Sequence, residues 1–207
     1  MTYRIDLVKC ETLAVNKWSG GLTTQIAIFP NNCEYGDRDF IWRISSAVVE
    51  LETSTFTRLD GYDRLLMSLE GKLKLNHEGH HDKVLDAYDV DAFSGSWHTQ
   101  SEGLVTDFNV IHRSGTKATL FARALTGGAI PVPISEEISG CEKDALTLVV
   151  HCPKEPFSVF IDENERVDLK RGDTLLIHIS DKKDAPSAVL EGSDACQATA
   201  VIAQIAY

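Results

Sequence analysis

Residues 64–75 read RLLMSLEGKLKL, an apolar stretch that Glu70-Gly71-Lys72 interrupts. Glycine beside charged residues, between two apolar runs, is typical of a tight turn, so the stretch predicts a strand, a turn and a second strand. A similar element occurs in the C-terminal half, where Lys170-Arg171-Gly172-Asp173 precedes the apolar residues 174–179. This repetition favours a duplicated small β-barrel.

Further apolar stretches of strand length flank these two elements, and most of them alternate apolar and polar side chains. Turn residues such as Gly115-Thr116 separate them. Residues 134–140 predict one short helical turn, with Ser135 as its N-cap. We therefore predict an all-β protein, a sandwich or a barrel. The predicted strands lie within residues 22–29, 40–49, 64–75, 104–111, 118–125, 146–151, 157–161, 174–179 and 198–205.

The composition limits the class of protein. The chain has 207 residues, 43% of them hydrophobic and 25% charged, which is enough to bury a core and excludes a disordered or fibrous protein. Its formal net charge of −11 would be repelled by a phosphate backbone or an anionic bilayer, so we expect neither nucleic acid nor a membrane as partner. Residues 126–133, TGGAIPVP, form the predicted loop between two domains, 1–125 and 126–207.

The cysteines and the N-terminal residues predict a cytoplasmic protein. The five cysteines are scattered and never spaced CxxC, which argues against a disulfide framework and against a structural zinc site. The first residues carry charges throughout and lack the features of a secretory signal. No apolar run approaches the roughly 20 residues that span a bilayer.

Several blocks of the sequence resemble known families. Leu69-Glu70-Gly71-Lys72 and Phe93-Ser94-Gly95-Ser96-Trp97-His98 resemble the two motifs of the cupin barrel, the second with phenylalanine in place of proline. Four longer blocks resemble the HutD/Ves family of bicupin proteins: WSGGLTTQ (18–25), FIWRISSA (40–47), GYDR (61–64) and DFNVIHR (107–113). Ser19 and Gln25 make the chain more similar to the Ves branch than to the histidine-utilisation branch.

The resemblance implies an all-β bicupin, made of two small jelly-roll (double-stranded β-helix) barrels packed together. Domain 1–125 would be the N-terminal barrel with a ligand pocket, and domain 126–207 a degenerate cupin barrel. A homodimer is a further possibility that the sequence leaves open.

The same resemblance implies that the usual cupin metal site is missing. Metal-binding cupins use the pattern HxH(x)3-4E(x)6G, and the position seven residues before Gly71 is Arg64, with no histidine at the two preceding positions. Only His98, in the second motif, remains. We therefore predict no metal and no cofactor. The segment His77-Glu78-Gly79-His80-His81 is interpreted as a charged hairpin.

Polar side chains at alternate strand positions predict a polar pocket in the first barrel. Because side chains alternate across a strand, Thr23 shares a face with Gln25, Arg43 with Ser45, and Asp107 with Asn109. Two arginines could hold a carboxylate, and the neutral groups could supply further donors and acceptors. The predicted ligand-binding residues are Thr23, Gln25, Arg43, Ser45, Arg64 and Asn109. In an alternative interpretation, the two arginines pair with Asp63 or Asp107 and only tie strands together.

Three functions remain open at this stage. The first is a non-catalytic sensor or accessory protein that binds a small carboxylate, and the resemblance suggests an intermediate of histidine breakdown such as formylglutamate or urocanate. The second is a cupin-type enzyme, an isomerase or hydrolase, that uses His98 with Asp107 or Glu102 as acid and base. The third is a dimeric interaction module. We assign no catalytic residue from the sequence.

Overall fold

The computed structural model describes residues 3–18, 20–162, 164–193 and 197–207. Within these residues nearly all regular structure is β-strand, which confirms the predicted all-β class. Ser19 of the first family block and Cys196 lie outside the described residues. The other four cysteines, Cys10, Cys33, Cys141 and Cys152, are free thiols. None of the helices in the described ranges is long and apolar enough to cross a membrane.

The strands are numbered in chain order. They are β1 (Tyr3–Val8), β2 (Val15–Trp18), β3 (Gly21–Phe29), β4 (Trp42–Val49), β5 (Thr53–Thr55), β6 (Tyr62–Glu70), β7 (Leu73–His77), β8 (Asp82–Leu85), β9 (Val90–Ser94), β10 (Thr99–Glu102), β11 (Thr106–Arg113), β12 (Lys117–Leu125), β13 (Ala129–Pro131), β14 (Leu146–His151), β15 (Phe157–Ile161), β16 (Glu165–Leu169), β17 (Thr174–Ile179), β18 (Ala188–Gly192) and β19 (Ala198–Ala206).

Helical structure is confined to short segments. Helix α1 (Glu136–Ser139) lies where the sequence predicts a helical turn, and 3-10 turns cover Cys10–Thr12 and Lys182–Asp184. Ser135 occupies the N-cap position of α1, but its side chain makes no capping hydrogen bond. Its backbone N–H instead donates to Gln204 Oε1 at 2.8 Å. The prediction of the helix is confirmed, whereas the predicted capping by the Ser135 side chain is wrong.

The chain divides into two compact units, residues 13–116 and a composite unit of residues 1–12 with 117–207. This division differs from the predicted domains 1–125 and 126–207 for a topological reason. Strand β12 pairs with β19 from Lys117 to Leu125, and β1 pairs antiparallel with β17. Both β1 and β12 therefore belong to a sheet of the composite unit.

The described residues of each unit form two sheets. In the 13–116 unit, a six-stranded sheet has the order β2-β3-β4-β11-β6-β9 and a four-stranded sheet has the order β5-β10-β7-β8. In the composite unit, the orders are β1-β17-β14-β19-β12 and β13-β18-β15-β16. A hydrophobic core fills each unit, because alternate strand residues such as Leu73 and Leu75 of β7 are buried while Lys74 is exposed.

The turn predicted from the first quoted stretch joins β6 to β7. Gly71 has φ +87°, a conformation that residues with a side chain rarely adopt, and a Cβ atom there would lie 2.5 Å from the Leu104 carbonyl oxygen. Gly172, in the matching turn before β17, has φ +83°. The two strand-turn-strand elements that suggested a duplication are therefore both present.

Candidate functional site

A cavity of about 500 Å³ lies in the 13–116 unit. All six predicted ligand-binding residues line it, and their role as ligand contacts stays a prediction. The lining residues are Asn16, Trp18, Thr23, Gln25, Tyr35, Arg43, Ser45, Ala47, Val49, Ser54, Thr55, Phe56, Thr57, Arg64, Asp107, Asn109 and Ile111.

The alternation of side chains along adjacent strands explains why these residues meet. Strands β3, β4, β11 and β6 are neighbours in the six-stranded sheet, and Ser45 of β4 lies between Gln25 of β3 and Asn109 of β11. Ile111 of β11 lies between Arg43 and Arg64 in the same way. The polar residues of four strands thus form one continuous wall of the cavity.

Arg43 is buried and is held by neutral groups. Its Nε donates to Gln25 Oε1 at 2.7 Å and its Nη1 donates to Ser45 Oγ at 2.9 Å. The guanidinium carbon lies 4.4 Å from the centre of the Tyr35 ring, a cation–π distance. These contacts orient the guanidinium group, and no carboxylate of the described residues forms a direct salt bridge with it.

Arg64 is more deeply buried and has fewer partners. Its Nη2 donates to the Thr57 carbonyl oxygen, and its guanidinium carbon lies 5.4 Å from the centre of the Phe56 ring. The buried Nε has no hydrogen-bond partner among the described residues. Burial lowers the pKa of both arginines, and the nearby Arg43 lowers the pKa of Arg64 further. A guanidinium stays protonated even so, because its ordinary pKa is so high.

Asp107 is the carboxyl group of the cavity wall. Burial raises its pKa to about 7, whereas the hydrogen bond from the Ala47 N–H and the two arginines act in the opposite direction. That hydrogen bond joins the Ala47 nitrogen to Asp107 Oδ1 at 3.1 Å. At neutral pH the carboxyl group is therefore only partly ionised and cannot fully offset two guanidinium charges.

The predicted alternative, in which the arginines pair with Asp63 or Asp107, is not what the structure shows. No carboxylate oxygen of the described residues lies within 4.0 Å of a nitrogen of Arg43 or Arg64. The two arginines thus make no direct salt bridge in the described part of the chain.

Three buried polar atoms of cavity-lining residues have no hydrogen-bond partner within the described ranges. They are Arg64 Nε, the indole Nε1 of Trp18 and the amide Oδ1 of Asn109. These atoms are almost inaccessible to solvent, so they are unpaired polar groups behind the cavity surface and not ligand contacts.

Comparison with known families settles the relationship that the sequence blocks suggest. The family model of HutD matches residues 11–196. The chain belongs to the HutD family. A comparison with curated proteins found no significant match.

Solved structures show the fold of this HutD-family chain. It is similar to PA5104 from Pseudomonas aeruginosa PAO1, a conserved protein of unknown function, with 21% identity, a TM-score of 0.81 and coverage of 99% of this chain and 100% of that chain. It is also similar to HutD from Pseudomonas fluorescens SBW25, with 18% identity, a TM-score of 0.67 and coverage of 97% of this chain and 98% of that chain. Oxalate decarboxylase from Bacillus subtilis is a more distant match, with 6% identity, a TM-score of 0.60 and coverage of 97% of this chain and 76% of that chain. The chain is thus an all-β bicupin.

The cupin metal position of this HutD-family protein carries no ligand set. Arg64, at the place of the ligand carboxylate, lines the cavity, and the described lining residues include neither histidine nor cysteine. His98 is exposed and does not line the cavity. The structure therefore does not bring His98 into the cavity that holds Asp107, which removes the acid–base pair of these two residues considered from the sequence.

Several cavity residues carry no sequence signal for a site. Tyr35 lies in a loop, and Phe56 and Thr57 follow the short strand β5 at the edge of the four-stranded sheet. Trp18 resembles a core anchor from its sequence alone, and it does pack against the core of the 13–116 unit, but its buried indole N–H has no hydrogen-bond partner among the described residues. Asp107 could be found, because it alternates with Asn109 along β11.

Proposed function

We propose that the cavity of the 13–116 unit binds a small carboxylate and that the protein acts as a non-catalytic sensor or accessory protein. One observation carries this proposal. Two buried guanidinium groups, those of Arg43 and Arg64, line one cavity and make no salt bridge within the described residues. A buried charge without a partner costs free energy, and an anionic ligand would remove that cost on binding.

The arrangement of donors favours a carboxylate over a bulky or apolar ligand. Arginine presents a planar fork of N–H groups that matches a carboxylate with two parallel hydrogen bonds. Gln25 and Ser45 fix Arg43, so that little ordering of its side chain remains for the ligand to impose. The volume of about 500 Å³ lies in the range of sites that enclose small metabolites.

We further propose that the anion is an intermediate of histidine breakdown, such as formylglutamate or urocanate. Membership in the HutD family supports this pathway, and the HutD relative named above comes from a pseudomonad. Formylglutamate offers two carboxylates and an amide, which suit the two arginines and Asn109. Urocanate offers only one carboxylate, so formylglutamate is expected to bind more tightly.

Isothermal titration calorimetry tests this function. The purified protein is titrated with formylglutamate, urocanate, succinate and, as a neutral control without a carboxylate, succinamide. Saturable binding of at least one of the three anions, absent for succinamide and lost in Arg43→Ala, is the expected result. The matched control is Arg58→Ala, because Arg58 lies in the same unit but is exposed and pairs with Asp60 at 3.5 Å. Failure of all three anions to bind would contradict the proposal.

An enzyme is the second candidate, and the environment of Asp107 is the observation that favours it. A buried carboxyl group whose pKa is raised to about 7 can accept and release a proton at neutral pH. Incubation of the protein with each bound anion, followed by mass spectrometry, distinguishes the two functions. Turnover that disappears in Asp107→Asn would establish an enzyme, whereas unchanged ligand recovered after binding supports the sensor.

A further inference from the structure

Two histidines and one aspartate form a cluster in the 13–116 unit, outside the cavity. His77 ends β7, His81 lies in the turn before β8, and Asp91 lies in β9. Their potential ligand atoms all lie within 4.8 Å of one another, and none of the three residues lines the cavity. We propose that His77, His81 and Asp91, here named the His77 cluster, bind one divalent transition metal ion of the zinc class.

The spacing of the ligand atoms fits such an ion. His77 Nε2 lies 2.9 Å from Asp91 Oδ2, and His81 Nε2 lies 3.2 and 3.3 Å from the two Asp91 oxygens. With metal–ligand distances of about 2.0–2.1 Å, neighbouring ligands of a tetrahedral zinc ion lie about 3.3 Å apart. The side chain of His81 is 40% exposed, so a small rotation of its ring would close the remaining separation from His77.

Neighbouring groups orient the ligands of the His77 cluster. His77 Nδ1 lies 2.8 Å from Thr99 Oγ1, and this hydroxyl oxygen can accept a hydrogen bond from the Nδ1–H. In the metal-free protein the Nε2–H of His77 donates to Asp91 Oδ2 at 2.9 Å. A metal would displace that proton, and the tautomer with Nδ1–H donating to Thr99 would then offer the Nε2 lone pair to the ion. The Ala92 N–H donates to Asp91 Oδ1 at 3.0 Å. Partners of this kind are the usual second layer of contacts around histidine and carboxylate ligands.

Burial and donor chemistry indicate the class of ion. The side chains of His77 and Asp91 are only 0% and 8% exposed, and a buried carboxylate is favoured by a nearby cation. Two imidazole nitrogens with one carboxylate suit zinc and related transition metals, whereas magnesium and calcium prefer sites made of oxygen alone. Three protein ligands leave one position open on the exposed His81 side.

The His77 cluster joins the two sheets of the 13–116 unit. Strand β7 belongs to the four-stranded sheet and β9 to the six-stranded sheet, so one bound ion would link them. The ring of Phe93 lies 4.5 Å from His77 and makes an edge contact at 5.9 Å with Phe56, which lines the cavity. The ion would therefore act as a structural link behind the cavity wall. This proposal departs from the sequence-based expectation of no metal.

Metal titration of the untagged protein tests the proposal. After dialysis against a chelator, the protein is titrated with zinc chloride by calorimetry and with cobalt chloride by visible absorption. We expect one equivalent of each ion, a raised melting temperature, and a tetrahedral cobalt spectrum without the charge-transfer band of a thiolate ligand. Magnesium chloride at the same concentrations is expected to produce none of these changes.

Variants assign the binding to the named residues. His81→Ala is the main test, because His81 is exposed and its loss leaves the buried packing intact. Asp91→Asn tests a second proposed ligand. Each is expected to weaken zinc binding at least about tenfold. His80→Ala is the matched control, since His80 lies in the same turn, is also exposed, and stacks on Trp97 with ring centres 3.7 Å apart. Unchanged zinc affinity in His81→Ala, or an equal loss in His80→Ala, would overturn the proposal, as would a thiolate band in the cobalt spectrum.

Discussion

Replacement of Arg64 by alanine separates a binding role from a structural one. The side chain donates one hydrogen bond to the Thr57 carbonyl and lies beside the Phe56 ring. A hydrogen bond from a charged group contributes about 1.5–3 kcal/mol. Against this, burial of a guanidinium without a counter-ion costs several kcal/mol, about as much as these contacts contribute. We therefore expect the free energy of unfolding of Arg64→Ala to lie within about 1 kcal/mol of the wild-type value.

The same substitution is expected to have a large effect on binding. Removal of one partner of a buried, charge-assisted pair costs about 2–5 kcal/mol of binding free energy. At about 1.4 kcal/mol for each factor of ten, the Kd of the carboxylate found by calorimetry rises between about 30-fold and about 4,000-fold. Arg43→Ala is expected to weaken binding similarly but to lose more stability, since Gln25 and Ser45 also lose their partner.

Two measurements on the same preparations decide the question. Urea denaturation gives the free energy of unfolding and calorimetry gives the Kd, for wild type, Arg64→Ala and the exposed control Arg58→Ala. The control is expected to match wild type in both. A fall of more than about 3 kcal/mol in unfolding free energy with an unchanged Kd would refute the reasoning, because that is the pattern of a residue that only supports the fold.

Three further predictions concern other positions. Asp107 has a pKa of about 7 in the folded chain against an ordinary value of 3.8, so the folded state keeps a proton that the unfolded state releases, and stability falls as pH rises between these values. Between about pH 5 and about pH 8 this loss is about 2.6 kcal/mol, and urea denaturation should show it as a change in the difference in unfolding free energy between wild type and Asp107→Asn, because the other titrating groups act equally in both. Gly71→Ala is expected to lower the unfolding free energy by about 2 kcal/mol or more, because the new Cβ would meet the Leu104 carbonyl oxygen. Gly61 also has a positive φ but lies in open space, so Gly61→Ala is the control and is expected to lower the unfolding free energy by only about 1 kcal/mol. Trp18→Phe removes a buried indole N–H that has no partner among the described residues, so the melting temperature should change little and calorimetry should show carboxylate binding within about twofold of wild type.

The sequence predicts central strands well and edge strands poorly. The predicted strands 146–151, 157–161 and 174–179 coincide with β14, β15 and β17, because these strands carry long runs of apolar residues. Strands β1, β8 and β16 lie at sheet edges and are not among the predicted strands. Strands β8 and β16 are short and rich in charged residues, whereas the alternation of apolar and polar residues in β1 is a signal that the prediction missed. The pairing of β1 with β17 joins residues far apart in the chain, which no local pattern encodes.

The same distinction holds for the two candidate sites. The wall of the cavity follows from the alternation of Arg43 with Ser45 and of Asp107 with Asn109 along neighbouring strands, so a period of two is enough to predict it. The His77 cluster does not follow in this way. Its two histidines are close in sequence, but Asp91 comes from a strand of the other sheet, and only the tertiary fold brings it to them.

The place of β1 has a consequence for how the protein forms during synthesis. The 13–116 unit is continuous in sequence, so all its strands are available once residue 116 has left the ribosome. Strand β1 is made first, but its partner β17 is made more than a hundred and sixty residues later, as the register of Tyr3 with Ile179 shows. Until then β1 is an unpaired strand, and a fragment that starts at residue 117 would expose β17 as a bare sheet edge open to aggregation. Co-expression of residues 1–12 as a separate peptide should restore solubility to such a fragment.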